Sequence, residues 1–299
     1  MAVPFDPAPQ FREFAHPERL VSASWLSARL GTPGLKVVES DQDSLLYDIG
    51  HIPGAVRLDW RRELNNALYR DIVDPETFAR IMSEKGIARD DTVVVYGDHS
   101  NWWAAFTLWI LELYGHEDVR LLDGGRDAWM AEERDTSFAV PDYPATDYPV
   151  IPRQDASLRA FVDDVRQAIG TQPLLDVRSA EEYEGAEARR AEDSAFTAQQ
   201  HGHIPSALSF PWGGSVDATG RFRRREVLEE LYEGLHPSDP TIVYCHLGDR
   251  SAHTWFVLKY LLGFDNVRNY DGSWAEWGNM VRMPIAQGKE PGVIPEGLS

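Results

Sequence analysis

The chain has one cysteine, far fewer cations than anions and no long apolar run. Each scarcity closes off a class of function. A single thiol excludes a disulfide within the chain and any metal site built from several cysteines, so no metal and no cofactor are expected. Lys and Arg number 29 against 48 Asp and Glu, a formal net charge of −19. Such a chain repels phosphate backbones and anionic lipid surfaces, so neither nucleic acid nor a membrane is an expected partner. If the substrate is itself an anion, the site must build positive potential locally against that field. No stretch of about 18 apolar residues is present to span a bilayer. Met1-Ala2-Val3-Pro4-Phe5-Asp6 lacks the basic segment and apolar stretch of a secretory signal, so a cytoplasmic location is expected. What is present is apolar content of 43% and aromatic content of 11% over 299 residues, enough for two ordinary cores.

The chain repeats itself. Val93-Val94-Val95-Tyr96-Gly97 resembles Thr241-Ile242-Val243-Tyr244-Cys245 at a spacing of 148, and the register then holds without a gap. Ala104 meets Ala252, Leu113 meets Leu261, Gly115 meets Gly263, Asp123-Gly124 meets Asp271-Gly272, and Trp129 meets Trp277. Upstream, Gly50-His51-Ile52-Pro53 recurs as Gly202-His203-Ile204-Pro205, with Trp60 matching Trp212 at the same offset of 152. Matches of this density indicate a tandem duplication. Between the copies, residues 141–152 contain four prolines, which suits a semi-rigid linker and neither a helix nor a sheet interior. The expected domains are 1–137 and 158–299, joined by 138–157.

Each copy alternates short apolar strands with helical patterns. Strands are expected at Val37-Val38, Ala55-Val56 and from Val93 in the first copy, and at Leu174-Leu175, Ala207-Leu208 and from Thr241 in the second. Helices are expected at Ser24 to Leu30, Pro75 to Lys85, Trp102 to Leu113, Leu158 to Ile169, Arg225 to Leu231 and Ser251 to Leu262, with Gly31, Gly115 and Gly263 as left-handed caps. Continuous apolar strands between helices predict α/β domains, each a parallel sheet with helices on both faces.

The candidate site is Tyr244-Cys245-His246-Leu247-Gly248-Asp249-Arg250-Ser251-Ala252-His253, lying between a strand and a helix, where open α/β sheets bind ligands. Backbone N–H groups turning into the helix, its positive N-terminal end and Arg250 together predict a thiol pKa below the ordinary value of about 8.5. Arg250 either closes the loop or faces the pocket. Gly248 permits the tight turn, and Ser251 is placed to cap the helix. A lone cysteine is commonly a small buried apolar residue, but polar neighbours on every side point instead to a nucleophile. The first copy has Gly97 in place of the cysteine and Trp102 in place of Arg250, so the second domain is expected to be catalytic and the first to help shape the cleft.

The run Tyr244 to Trp255 resembles the active loop of two-domain thiosulfate sulfurtransferases of the rhodanese type, nearest to those of actinobacteria. Tyr270-Asp271-Gly272-Ser273-Trp274-Ala275-Glu276-Trp277-Gly278 resembles a signature near their C-terminus, and the Gly-His-Ile-Pro pair and Asp176-Val177-Arg178 fit the same fold. The resemblance implies two rhodanese-like domains and a double displacement. Cys245 would take the outer sulfur of thiosulfate, release sulfite, and pass the persulfide sulfur to cyanide, a thiol or a protein acceptor. The backbone N–H groups of residues 246 to 251 (His246, Leu247, Gly248, Asp249, Arg250 and Ser251) would hold the persulfide charge. Two departures stand out. His246 stands where relatives often carry arginine, as a contributor of pH-dependent charge or as a plain loop residue. Glu182 stands where vertebrate-type relatives carry a donor-binding arginine, leaving Arg178 to touch substrate or to brace the domain.

Other residues read as structural: His203 as a turn residue, Trp274 and Trp277 as packing residues, and the arginine-rich insertion Glu181 to Glu192 as a solvated loop rather than a lid. A cell-cycle-type phosphatase or an arsenate reductase needs a longer loop than the four residues His246 to Asp249. A 3-mercaptopyruvate sulfurtransferase is the nearer alternative, though its usual Cys-Gly-Ser/Thr-Gly-Val-Thr loop is not matched. A non-enzymatic carrier would use the same Cys245 persulfide.

Overall fold

A computed structural model describes residues 3–186 and 197–293. The chain divides into two compact units, Met1–Gln154 with Val216–Phe222, and Asp155–Ser215 with Arg223–Ser299. Among the described residues no helix is long and apolar enough to cross a membrane.

The first unit is a five-stranded parallel sheet in the order β1-β5-β4-β2-β3. The strands are β1 (Leu20–Val21), β2 (Leu35–Glu39), β3 (Val56–Arg57), β4 (Thr92–Tyr96) and β5 (Val119–Leu122). Its helices are α1 (Ala23–Ser27), α2 (Trp60–Glu63), α3 (Pro75–Glu84), α4 (Trp102–Leu113) and α5 (Gly125–Ala131). Every residue of β4 is buried, which is why Val93-Val94-Val95 reads as an unbroken apolar run. Helix α3 starts where Asp74 accepts the Thr77 N–H at 2.8 Å ahead of Pro75, a capped start with proline in the first turn. Helix α4 is buried from Trp103 to Leu113, as its apolar character on all sides requires. The proline-rich stretch runs along this unit, with Tyr143 donating to Gly54 O, Thr146 N–H to Ser83 O and Gln154 N–H to Leu113 O.

The second unit is a four-stranded parallel sheet in the order β7-β6-β8-β9. Its elements run α6 (Asp155–Leu158), α7 (Val162–Ala168), β6 (Leu174–Asp176), α8 (Ala180–Glu184), β7 (Leu208–Ser209), α9 (Arg225–Leu231), β8 (Thr241–Tyr244), α10 (Asp249–Phe256), β9 (Val267–Tyr270) and α11 (Ser273–Trp277). Helix α10 widens into a π-helical segment over Val257–Leu262 that ends on Gly263 at φ 82°. The expected single helix from Leu158 to Ile169 is two. Ala160 N–H bonds to Asn269 O alongside β9, and Asp164 then caps Phe161 N–H to start α7. Strands β1, β5 and β9 were not anticipated. β5 and β9 carry buried polar residues, Arg120 and Asn269, which break the apolar run by which a buried strand is recognised.

One device recurs in both units. Ile52 N–H donates to the Tyr96 hydroxyl at 2.9 Å, and Ile204 N–H to that of Tyr244 at 3.1 Å. His51 stacks on Tyr47 at 3.8 Å and His203 on Tyr183 at 3.6 Å. A buried guanidinium ties the carboxylate ending the first long strand to the glycine carbonyl of the same turn. Arg126 joins Glu39 at 2.9 Å to Gly50 O at 2.6 Å, and Arg178 joins Asp176 at 2.9 Å to Gly202 O at 2.7 Å. The Gly-His-Ile-Pro turn is thus a structural anchor, and His203 has the turn role expected of it. Removing one partner of a buried pair leaves an uncompensated charge, so Arg126→Ala is expected to cost about 3–5 kcal/mol, read as a lower urea midpoint for the first unit.

Candidate active site

Cys245 follows the last residue of β8, and α10 begins four residues later. Gly248 occupies the cap between them at φ 102°. A side chain there would meet Asp271 Cα at 2.9 Å, so both conformation and space demand glycine. The loop is held from the far side by the start of α11. Cys245 N–H donates to Ser273 Oγ at 3.1 Å, while Trp274 and Ala275 N–H donate to the Cys245 and His246 carbonyls at 3.1 and 3.0 Å. Asn269 Nδ2 adds a bond to Gly248 O at 3.2 Å.

Cys245 is fully buried, and its sulfur meets both donors and a carboxylate. Gly248 N–H donates to Sγ at 3.1 Å, Ser251 Oγ–H at 3.5 Å, and the thiol faces Asp249 Oδ1 at 3.4 Å. The thiol pKa is raised, first by burial and then by the Asp249 carboxylate, against the lowering influence of Arg250 and Ser251. This corrects the expectation of a depressed pKa. The helix terminus and cation are present, but desolvation and a neighbouring anion outweigh them in the resting protein.

Arg250 closes the loop. Its Nη1 and Nη2 donate to Glu182 Oε2 and Oε1 at 2.8 and 3.1 Å, with both side chains buried. Burial pushes Glu182 up, but the bidentate guanidinium overrides it and holds the carboxyl down at about 2. The residue that departs from the vertebrate-type arginine is therefore the partner of Arg250. Arg178 braces the Gly202 turn and lies 4.5 Å over the Trp274 ring. His246 is buried and Leu247 half-buried. Ser251 does not cap α10, whose cap is Gly248 without a side-chain bond; its hydroxyl turns to the sulfur instead. Burial pushes His253 down to about 3, a neutral ring edge-on to Trp212. Trp277 Nε1 bonds Pro284 O at 2.9 Å, as Trp129 Nε1 bonds Asp135 O at 3.0 Å in the first unit. Of the insertion, residues 181–186 carry Glu182; residues 187–192, with Arg189-Arg190, lie outside the described residues.

The matching loop of the first unit is built differently. Gly97 N–H donates to Asn101 Oδ1 at 3.0 Å, and Asn101 Nδ2 donates to Leu122 O at 2.7 Å. A Cβ at Gly97 would lie 2.2 Å from Ser40 O, so this backbone has no room for a cysteine. Ser273, Asp249 and Glu182 received no side-chain role from the sequence. For the first two the signal lay in the duplication, where Ser273 meets Gly125 and Asp249 meets Asn101.

A parallel α/β unit presenting a nucleophile-bearing strand-to-helix loop, beside a second copy without the nucleophile, defines the class. The family model described as "Rhodanese-like domain" matches residues 22–132 and 161–280, and the chain belongs to the rhodanese family as a two-copy sulfurtransferase. It is 64% identical over 292 residues to a thiosulfate sulfurtransferase of Corynebacterium glutamicum, covering 97% of each chain. It is 47% identical over 284 residues to the sulfur carrier protein TtuD of Thermus thermophilus, covering 93% of this chain and 99% of that one. Among solved structures, it superposes on the 3-mercaptopyruvate sulfotransferase SseA of Escherichia coli with a TM-score of 0.74 at 26% identity, covering 86% of this chain and 98% of that one.

The buried Glu182–Arg250 pair makes a pH prediction. A carboxyl held at about 2 when folded, against about 4.3 unfolded, contributes stability that is complete above the unfolded value and is lost as pH falls through the folded one. Between about pH 4.5 and about pH 2, the wild type is expected to lose on the order of 3 kcal/mol through this group, a slope missing from Glu182→Gln in urea titrations at successive pH values.

Proposed function

We propose that the chain is a thiosulfate sulfurtransferase working by double displacement through a persulfide on Cys245, with the first unit non-catalytic. The observation that carries this reading is the convergence of the Gly248 N–H and the Ser251 hydroxyl on a cysteine sulfur at the head of a helix. Two donors and a helix N-terminus suit an anionic sulfur, as donors do in an oxyanion hole. Cys245 as thiolate attacks the outer sulfur of thiosulfate; the S–S bond of the donor breaks and sulfite leaves with the electron pair. The persulfide's outer sulfur is then taken by a thiophile, cyanide or a thiol, which restores the cysteine. His246, Leu247, Gly248, Asp249 and Ser251 form the cradle, and Arg250 sets its shape through Glu182. Residue 97 in the first unit cannot take part, since glycine carries no nucleophile.

The name of the Thermus relative supports a variant in which the chain serves as a sulfur carrier, and the Escherichia coli structure a variant in which 3-mercaptopyruvate is the donor. Both use the same Cys245 persulfide. A cytoplasmic site of action fits the acidic composition.

Intact mass after incubation with thiosulfate tests the reading, alongside Cys245→Ala and followed by cyanide. The expected result is a gain of one sulfur on wild type alone, lost with release of thiocyanate. A gain only with 3-mercaptopyruvate moves the donor to that compound, and no gain with either donor overturns the sulfurtransferase mechanism.

A further inference from the structure

Two positions around the cysteine differ between the two loops in a linked way. In the first unit, Asn101 accepts the N–H of Gly97. Residue 125 is glycine at φ 56°, and a Cβ there would lie 2.4 Å from Asn101 Oδ1. In the second unit, the residue matching Gly125 is Ser273, still left-handed at φ 53°. Its hydroxyl accepts the Cys245 N–H at 3.1 Å and donates to Tyr270 O at 2.7 Å. A non-glycine residue in that region costs on the order of 1 kcal/mol or more, which a structure retains when the side chain has a task. Here the task is the amide that Asn101 serves in the other copy. The residue matching Asn101 is Asp249, and with the amide already taken its carboxylate meets the thiol, Sγ to Oδ1 at 3.4 Å.

We propose that Asp249 is the proton acceptor of Cys245 and that Ser273 is the positioning residue that releases it for that role. The proposal rests on the sulfur-transfer reading above. In the loading step the S–H bond breaks, its proton passes to Asp249 Oδ1, and the electron pair on Sγ forms the bond to the donor's outer sulfur as sulfite departs. The proton stays on Asp249, so the persulfide anion forms beside a neutral carboxyl and not beside a second buried charge. When the acceptor removes the outer sulfur, the thiolate reclaims the proton. The charges packed around the pair are compensated. Arg250 is held by Glu182 of α8, and Asp271, next to Gly248, is held by Arg159 at 2.8 and 2.9 Å. His253 is a neutral ring, which leaves His246 as the loop residue whose own titration must be separated.

The test compares wild type, Asp249→Asn, Asp249→Glu and Ser273→Gly, each also with His246→Gln, from about pH 5 to about pH 9.5, where the thiol and imidazole titrate. Two rates are read at each pH: single-turnover sulfur loading from thiosulfate by quenched intact mass, and alkylation of Cys245 by iodoacetamide. A thiol and carboxylate sharing one proton titrate as a pair, so the wild-type acid limb lies where the pair takes up a second proton. In Asp249→Asn the limb is expected to move up by more than about one pH unit, with loading slowed on the order of tenfold or more near pH 6 and converging with wild type near pH 9. Asp249→Glu should keep the low limb, and Ser273→Gly should move it in the same direction as Asp249→Asn but less far. An unshifted limb in Asp249→Asn, a limb moved down, as relief of the carboxylate's charge on the thiol alone would give, or a uniform loss at every pH in Asn and Glu variants alike, overturns the proposal. An unshifted limb in Ser273→Gly overturns the role given to Ser273. If wild type alkylates but takes no sulfur from thiosulfate, the donor assignment fails, while the alkylation limb still decides the role of Asp249.

Discussion

Two backbone hydrogen bonds from the first turn of α11, Trp274 N–H to Cys245 O and Ala275 N–H to His246 O, hold the cysteine loop in the form on which its chemistry depends. A short loop passing from a buried strand into a helix leaves carbonyls that water cannot reach, and each needs a donor. With both carbonyls turned toward α11, the N–H of Gly248 is free to turn toward the sulfur. Gly248 completes the arrangement, because Asp271 leaves no space for a Cβ. Arg250 then joins the start of α10 to α8 through Glu182.

The first unit shows the same frame without the chemistry. Arg126 N–H bonds Gly97 O at 2.8 Å, the counterpart of the Trp274 bond to Cys245 O. The anchoring of the Gly-His-Ile-Pro turn is also the same, although its guanidinium comes from α5 in one unit and from the residue two beyond β6 in the other. In the loop and across from it the first unit has glycine for cysteine, asparagine for aspartate, tryptophan for arginine and glycine for serine, and its backbone turns left-handed at His99, Ser100 and Asn101 where the second loop does so at Gly248. A shared frame carrying a rebuilt loop is how a fold hosts a site without being defined by it.

The resting thiol is held as a thiol. Burial and the Asp249 carboxylate both disfavour the thiolate, and the Arg250 guanidinium is engaged by Glu182. Protonation suits a buried cysteine in a chain of net charge −19, since a bare thiolate would add an anion where water is excluded. In the proposed mechanism, activation therefore falls to groups that contact the sulfur directly.

The duplication, the α/β class, the strands ending at Tyr96 and Tyr244, and Cys245 as the candidate site residue were legible in the residues alone. Each is written in contiguous or evenly spaced letters: apolar runs, a constant offset of 148, a lone cysteine amid polar neighbours. Strands β5 and β9 were not legible, because Arg120 and Asn269 are polar residues whose partners lie elsewhere in the chain. The state of the thiol was not legible either. Local letters showed a cation and a helix start, but the tertiary structure decided that Arg250 faces Glu182, 68 residues away, that Ser251 turns to the sulfur, and that Cys245 is wholly buried. Sequence by itself determined the family fold and singled out Cys245 as the candidate residue. Only the fold decided the charge around that residue, because electrostatic balance depends on distances and burial that pairings remote in sequence create.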